Sequence, residues 1–70
     1  MSGFLRYNKI LNLFSEYRSS WTVAEISEKL KTPSSTIYRI VREMVLAEFL
    51  ESAAGAYFRL GPAFIKFNRT

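Results

Sequence analysis

Between Ser34 and Arg42 the chain reads Ser-Ser-Thr-Ile-Tyr-Arg-Ile-Val-Arg, hydroxyls and guanidiniums set among branched apolar residues. A helix advances about 100° per residue, so Ser35, Tyr38, Arg39, Arg42 and Leu46 gather on one side while Ile37, Ile40, Val41, Met44 and Glu48 fall on the other. The apolar side packs and the polar side stays free. The chemistry open to the free side is hydrogen-bond donation: a guanidinium fork matches phosphate oxygens and pairs bidentately with guanine O6 and N7, and hydroxyls serve either acceptor. Catalysis fits poorly. The chain has no His, no Cys and six scattered glutamates, which leaves no poised base or nucleophile. The usual zinc ligands are missing with them, so only a carboxylate-only metal site would remain open. No catalytic residue, no metal and no cofactor are expected.

A stripe of this kind works only if a helix is held outward by its neighbours. Two helix starts lie ten residues apart. Thr22 with Glu25 three residues on is a capping box, and Thr32-Pro33 supplies an N-cap hydroxyl and a first-turn proline. These predict a short helix over 23–30 and a second from Pro33 to about Glu48, joined by a three- or four-residue turn. That is the outline of a helix-turn-helix DNA reader, whose second helix enters the major groove by its N-terminal half. Ser34, Ser35, Thr36 and Arg39 then become candidate base-edge readers, Tyr38 and Arg42 candidate phosphate anchors, and the helix N-terminus a further phosphate site. With Thr22 at the head of the preceding helix they form the candidate DNA-binding set.

The rest of the chain frames this pair. From Phe4 to Tyr17 the apolar residues Tyr7, Ile10, Leu11, Phe14 and Tyr17 recur at helical spacing. Arg18-Ser19-Ser20 breaks the pattern, and Trp21 begins a short extended stretch as a lid on the core. Phe49 to Ser52 and Tyr57 to Leu60 alternate as two strands around Ala53-Ala54-Gly55-Ala56, a hairpin wing. Gly61-Pro62 stops the second strand and starts a last helix. The predicted fold is therefore mainly α with a small β-hairpin: a winged helix-turn-helix of three helices and a two-stranded wing over residues 1–61, followed at 62–70 by the start of a linker helix.

Seventy residues allow a single domain with a small core, for which 49% hydrophobic and 16% aromatic residues is rich. A net charge of +4 and a pI near 9.8 favour polyanionic partners. No apolar stretch approaches the roughly 18 residues needed to span a bilayer, so no membrane partner and a cytoplasmic, nucleoid-associated location are expected.

Blander readings stand beside each of these. An arginine-bearing stripe can be a merely solvated helix face, Tyr38 can pack its ring on the wing, and Thr36 can serve only as a cap contact. Lys29, Lys31 and Arg59 can be solubility charges. Leu46 has no place on a DNA face, which leaves open a winged-helix protein-interaction module in which Tyr38, Arg42 and Leu46 dock on another protein.

Taken together, Ile10-Leu11-Asn12-Leu13-Phe14, Thr22-Val23-Ala24-Glu25-Ile26-Ser27, Pro33 through Val41, Phe49-Leu50-Glu51 and Tyr57-Phe58-Arg59-Leu60-Gly61 resemble one family. It is the N-terminal winged helix-turn-helix domain of IclR-type bacterial transcription regulators. The resemblance implies a dimeric regulator on a pseudo-palindromic operator, with one such helix in each major groove and the wing against the backbone or minor groove. It also implies a C-terminal effector domain beyond a linker helix, and an effector ligand only if that domain exists. Two departures from the family pattern carry expectations. Glu48 stands where the family tends to place Gly, so the left-handed helix cap is expected to be lost. The wing tip offers alanines where charges are common, so wing contacts to DNA are expected to be weak or limited to backbone N–H groups.

Two apolar surfaces remain after the core is filled: Phe4, Leu5 and Tyr7 near the start, and Phe64, Ile65 and Phe67 near the end. Patches of this kind mark interfaces, and a homodimer through Phe4, Leu5, Phe64, Ile65 and Phe67 is expected. The expected function is sequence-specific binding of double-stranded DNA for transcription regulation.

Overall fold

The Thr22 capping box forms as the sequence prescribes. The Glu25 N–H donates to Thr22 Oγ1 at 3.1 Å, and the Thr22 N–H donates to Glu25 Oε1 at 2.9 Å. Two of the otherwise orphaned donors at a helix start are thereby satisfied. In the computed structural model, which describes the backbone of residues 2–67 and the side chains of residues 5–64, the order of elements is α1 (Ser2–Leu11), β1 (Ser20–Thr22), α2 (Val23–Leu30), α3 (Ser34–Leu46), β2 (Leu50–Ser52), β3 (Tyr57–Leu60) and α4 (Pro62–Phe67).

The first helix is shorter than its periodicity predicts. The Asn12 N–H still reaches Asn8 O, but Leu13 and Phe14 donate only three residues back, to Ile10 and Leu11, and the helix tightens to a close. Ser15 then ties the following turn, its N–H donating to Arg18 O and its hydroxyl accepting from the Arg18 N–H. Phe14 is buried from this turn, which is why the three-and-four apolar pattern runs on past the end of the helix. Tyr17 is 98% exposed and lies outside the helix.

Both helices of the central pair end in the same way. At the end of α2 the Thr32 N–H bonds to Ser27 O and the Lys31 N–H to Glu28 O, with Lys31 left-handed at φ 55°. At the end of α3 the Phe49 N–H bonds to Met44 O and the Glu48 N–H to Val45 O, with Glu48 left-handed at φ 67°. These are Schellman caps, usually built on glycine. The expectation that Glu48 forfeits the left-handed cap is therefore overturned: the hydrogen bonds of the cap hold the glutamate in that conformation.

The Thr32 expectation also fails. Its hydroxyl donates to Leu30 O at 3.1 Å, and its carbonyl accepts from the Ser27 hydroxyl at 2.6 Å, so the residue closes α2 and opens nothing. Pro33 takes the N-cap position of α3, with no side-chain cap, and the helix runs from Ser34 to Leu46 and not from Pro33 to Glu48.

The predicted hairpin forms, with Glu51 opposite Arg59 and Ser52 opposite Phe58, and Gly55 supplies the positive φ its loop needs. The sheet nevertheless has three strands in the order β1-β3-β2, because Ser20, Trp21 and Thr22 pair antiparallel with Arg59, Phe58 and Tyr57. Three residues are too few to announce a strand by alternation. The predicted two-stranded wing is thus paired along its second strand with the residues that lead into α2.

The core lies where the helices meet the sheet. Ile10, Ile26, Ile37, Val41, Met44 and Leu50 are almost wholly buried, one or more from each of α1, α2, α3 and β2, and Trp21 closes the cluster from β1. Each such side chain contributes about 1.5–3 kcal/mol of transfer free energy. The indole N–H of Trp21 donates to Leu13 O at 3.1 Å, so the lid is also pinned to the turn after α1.

Candidate nucleic-acid interface

The α3 helix divides as its sequence predicts. Ile37, Ile40, Val41 and Met44 are buried against α2, α1 and the sheet, while Ser34, Ser35, Tyr38, Arg39, Arg42 and Leu46 are exposed. Six candidate residues, Ser34, Ser35, Thr36, Tyr38, Arg39 and Arg42, therefore share one helix, the first five in its N-terminal half. Thr36 is half-buried. Thr22 stands apart at the head of α2, half-buried, with its hydroxyl oxygen accepting from Glu25.

At the start of α3, Thr36 and Ile37 both donate their N–H groups to Pro33 O. Among the described residues the N–H groups of Ser34 and Ser35 have no partner, so two donors point out of the helix end together with two hydroxyls.

Three of the acids are held by neighbours. Glu25 pairs with Arg18 at 2.8 Å, and Glu51 pairs with Arg59 at 2.5 Å across the wing. Glu43 accepts a hydrogen bond from the Tyr7 hydroxyl on α1. Among the described residues neither Arg39 nor Arg42 has an ion-pair partner, so both guanidiniums keep their donors for a ligand. The hydrogen bond to Glu43 holds the Tyr7 hydroxyl above its ordinary pKa of 10, with burial and the glutamate's charge acting in the same direction and Arg39 opposing them. Tyr7 thus stays a donor throughout the neutral range.

Beyond Arg42 the face changes character. Tyr38, Arg42, Val45 and Leu46 of α3 face Ser52 and Phe58 of the wing across a cleft of about 290 Å³. The Tyr38 ring lies beside the wing, as the packing alternative anticipates, yet it remains 51% exposed. Leu46 is 79% exposed at the rim. The wing itself lends little charge, since Arg59 is paired with Glu51 and the tip from Ala53 to Ala56 carries no side-chain donor.

Of the residues expected in a dimer contact, Leu5 is 61% exposed and Phe64 is half-buried, while the side chains of Phe4, Ile65 and Phe67 lie outside the described residues. Tyr7, grouped with that patch by its apolar ring, spends its hydroxyl on Glu43. Sequence reasoning also missed Arg18, which pairs with Glu25 and lies 3.6 Å from the centroid of the Trp21 ring. An arginine three residues before an aromatic strand residue is too weak a pattern to predict that stack.

Among the described residues no helix is long and apolar enough to cross a membrane, and no three His, Cys, Asp or Glu side chains converge as metal ligands do.

Comparison with known proteins places this geometry. Residues 3–54 match the IclR helix-turn-helix domain. The chain is 33% identical to an IclR homolog from Microbacterium sp. strain HM58-2, with a TM-score of 0.88 over 96% of this chain and 28% of that one. It is 32% identical to an IclR homolog from Microbacterium hydrocarbonoxydans, solved in complex with 4-hydroxybenzoate, with a TM-score of 0.86 over 93% of this chain and 27% of that one. An IclR family transcriptional regulator from Brucella abortus, 19% identical, shares the fold with a TM-score of 0.89 over 97% of this chain and 26% of that one. The chain thus spans little more than a quarter of the length of these solved relatives. Among curated proteins none matches. With its family match over most of its length and a fold shared with the solved relatives, the chain belongs to the IclR family and forms its winged helix-turn-helix domain.

Proposed function

We propose that the chain binds double-stranded DNA sequence-specifically to regulate transcription, with α3 in the major groove. The observation that carries this reading is the face of α3, where Ser34, Ser35, Arg39 and Arg42 are exposed and both arginines are unpaired among the described residues. Family membership supports it. Arg39 and the hydroxyls of Ser34, Ser35 and Thr36 read base edges, while Tyr38, Arg42 and the free N–H groups at the helix start hold phosphates. Thr22 adds a backbone contact from the head of α2. The wing, with a neutral tip, contributes backbone N–H groups at most.

In this reading residues 1–61 are the DNA-binding unit and the helix from Pro62 begins a linker. The exposed Leu5, with Phe4, Phe64, Ile65 and Phe67, forms a two-fold contact that sets half-sites about one helical turn, or a multiple of it, apart. The protein works in a bacterial or archaeal cytoplasm, and any effector ligand would be taken by a further domain.

One selection from random duplexes at two salt concentrations tests the whole reading. A preferred palindromic sequence, bound more weakly at the higher salt, is the expected result. No enrichment, or binding indifferent to salt, would overturn it. The cleft beside Leu46 favours a second reading, a protein-docking module, which predicts that salt-insensitive outcome.

A further inference from the structure

We infer that Tyr7 is a positioning residue for DNA reading: its hydroxyl holds the Glu43 carboxylate on the α1 side of α3 and so leaves the Arg39 guanidinium free. The inference rests on the proposed DNA-binding reading.

Glu43 stands four residues after Arg39, the spacing at which side chains on a helix meet and opposite charges pair. By angle it flanks the free stripe, between Arg39 and the core-facing residues. Left alone, its carboxylate has two ways to harm the interface. It can occupy the Arg39 fork, or it can stand toward the phosphates as a like charge. Neither arrangement is present. The Tyr7 hydroxyl donates to Glu43 Oε1 from a residue 36 positions away on another helix, and Arg39 has no ion pair among the described residues.

Tyr7 is suited to this because its ring is fixed. It packs half-buried against the core cluster, so the hydroxyl is presented from a rigid base. The three groups act on one another: Glu43 raises the Tyr7 pKa and Arg39 opposes it, as expected if both charges lie near the same hydroxyl. Neither partner of this hydrogen bond needs to touch DNA. Its effect is to orient an acid that the interface would otherwise have to displace.

The test uses the 70-residue chain and the duplex it enriches from a random pool of about 30 base pairs, roughly three helical turns. Tyr7→Phe removes the hydroxyl and keeps the ring. Its affinity is expected to fall about threefold to tenfold, part of the worth of one arginine–base contact. In a Glu43→Gln background the same change is expected to have no effect, because no carboxylate remains to compete. Glu43→Asp, which keeps the charge but draws it out of Tyr7's reach at an exposed position, is expected to weaken binding as Tyr7→Phe does.

A second readout needs no DNA. The Nε–H signal of Arg39 in the free chain, followed by NMR, is expected to shift and exchange more slowly in Tyr7→Phe as Glu43 swings onto it. It should return to the parent position in Tyr7→Phe/Glu43→Gln. An unchanged Arg39 signal in both Tyr7→Phe and Glu43→Asp would overturn the inference, as would a loss of affinity that Glu43→Gln does not rescue. If the parent chain enriches no duplex, the DNA-binding reading fails, and the NMR comparison still decides the positioning role.

Discussion

Gly61 lies against the backbone of Glu48 so closely that a Cβ on it would stand 2.5 Å from the Glu48 carbonyl oxygen and 3.0 Å from the Leu50 carbonyl carbon. The contact is between backbones and cannot be relieved by a side-chain rotation. It joins the exit of α3 to the end of the wing, since the Gly61 N–H donates to Phe49 O at 2.8 Å and the Ala63 N–H to the same Glu48 carbonyl at 2.9 Å. Gly61→Ala is therefore expected to destabilise the domain by about 1–3 kcal/mol, the usual cost of forcing extra volume into a packed site. Urea denaturation checks this, and an unchanged midpoint would refute it.

The same junction holds a residue whose replacement should help. Glu48 sits at φ 67° with an exposed side chain, kept there by the Schellman hydrogen bonds to Met44 and Val45. A left-handed non-glycine residue costs roughly 1–2 kcal/mol, from which the greater freedom of glycine in the unfolded chain must be subtracted. Glu48→Gly is expected to stabilise by about 0.5–1 kcal/mol without altering the backbone. A lower thermal midpoint for this variant would contradict that account.

What was legible in the sequence is local, and what was hidden joins distant segments. The face count along α3 needs only a regular helix, and Ile37, Ile40, Val41 and Met44 are buried where it places them. The Thr22 capping box is local in the same sense, and its two hydrogen bonds follow from residue types three apart. Thr32 misled because a hydroxyl before a proline can cap the next helix or close the last one, and the choice was made by Ser27 and the left-handed Lys31. The partnership of Tyr7 with Glu43 and the pairing of β1 with β3 join segments more than 30 residues apart, and no periodicity carries such information.

The cap at Thr22 makes stability depend on acid pH. The Thr22 N–H, first, and then Arg18 stabilise the ionised Glu25, whose pKa lies below its ordinary 4.5 in the folded chain. A depressed folded pKa contributes stability that is fully present above the unfolded value and is lost as pH falls through the folded one. Denaturation midpoints measured from pH 7 to pH 3 should thus fall below about pH 4.5, with Glu25→Gln flattening that part of the curve. Thr22→Ala removes the other half of the box and is expected to cost about 0.5–2 kcal/mol at neutral pH. A Glu25→Gln curve parallel to that of the parent throughout would count against the mechanism.

Arg39 and Arg42 share a face and an absence of ion-pair partners among the described residues, yet they should fail differently when removed. Arg39 lies in the N-terminal half of α3, the part that would reach base edges in the proposed complex, whereas Arg42 lies further along beside the wing-facing cleft, where a groove-bound helix would approach the backbone. A base contact discriminates, and a phosphate contact does not. Arg39→Ala is therefore expected to lose about 1–3 kcal/mol on the preferred duplex and much less on unrelated ones, relaxing specificity at one base pair. Arg42→Ala should weaken binding to all duplexes alike and reduce the slope of log affinity against log salt by about one. Titrations of both variants on the preferred and a scrambled duplex, at several salt concentrations, separate the two roles. If both variants bound the preferred and the scrambled duplex as the parent does, with an unchanged salt slope, neither arginine would be touching DNA, and the protein-docking reading of the α3 face would be favoured.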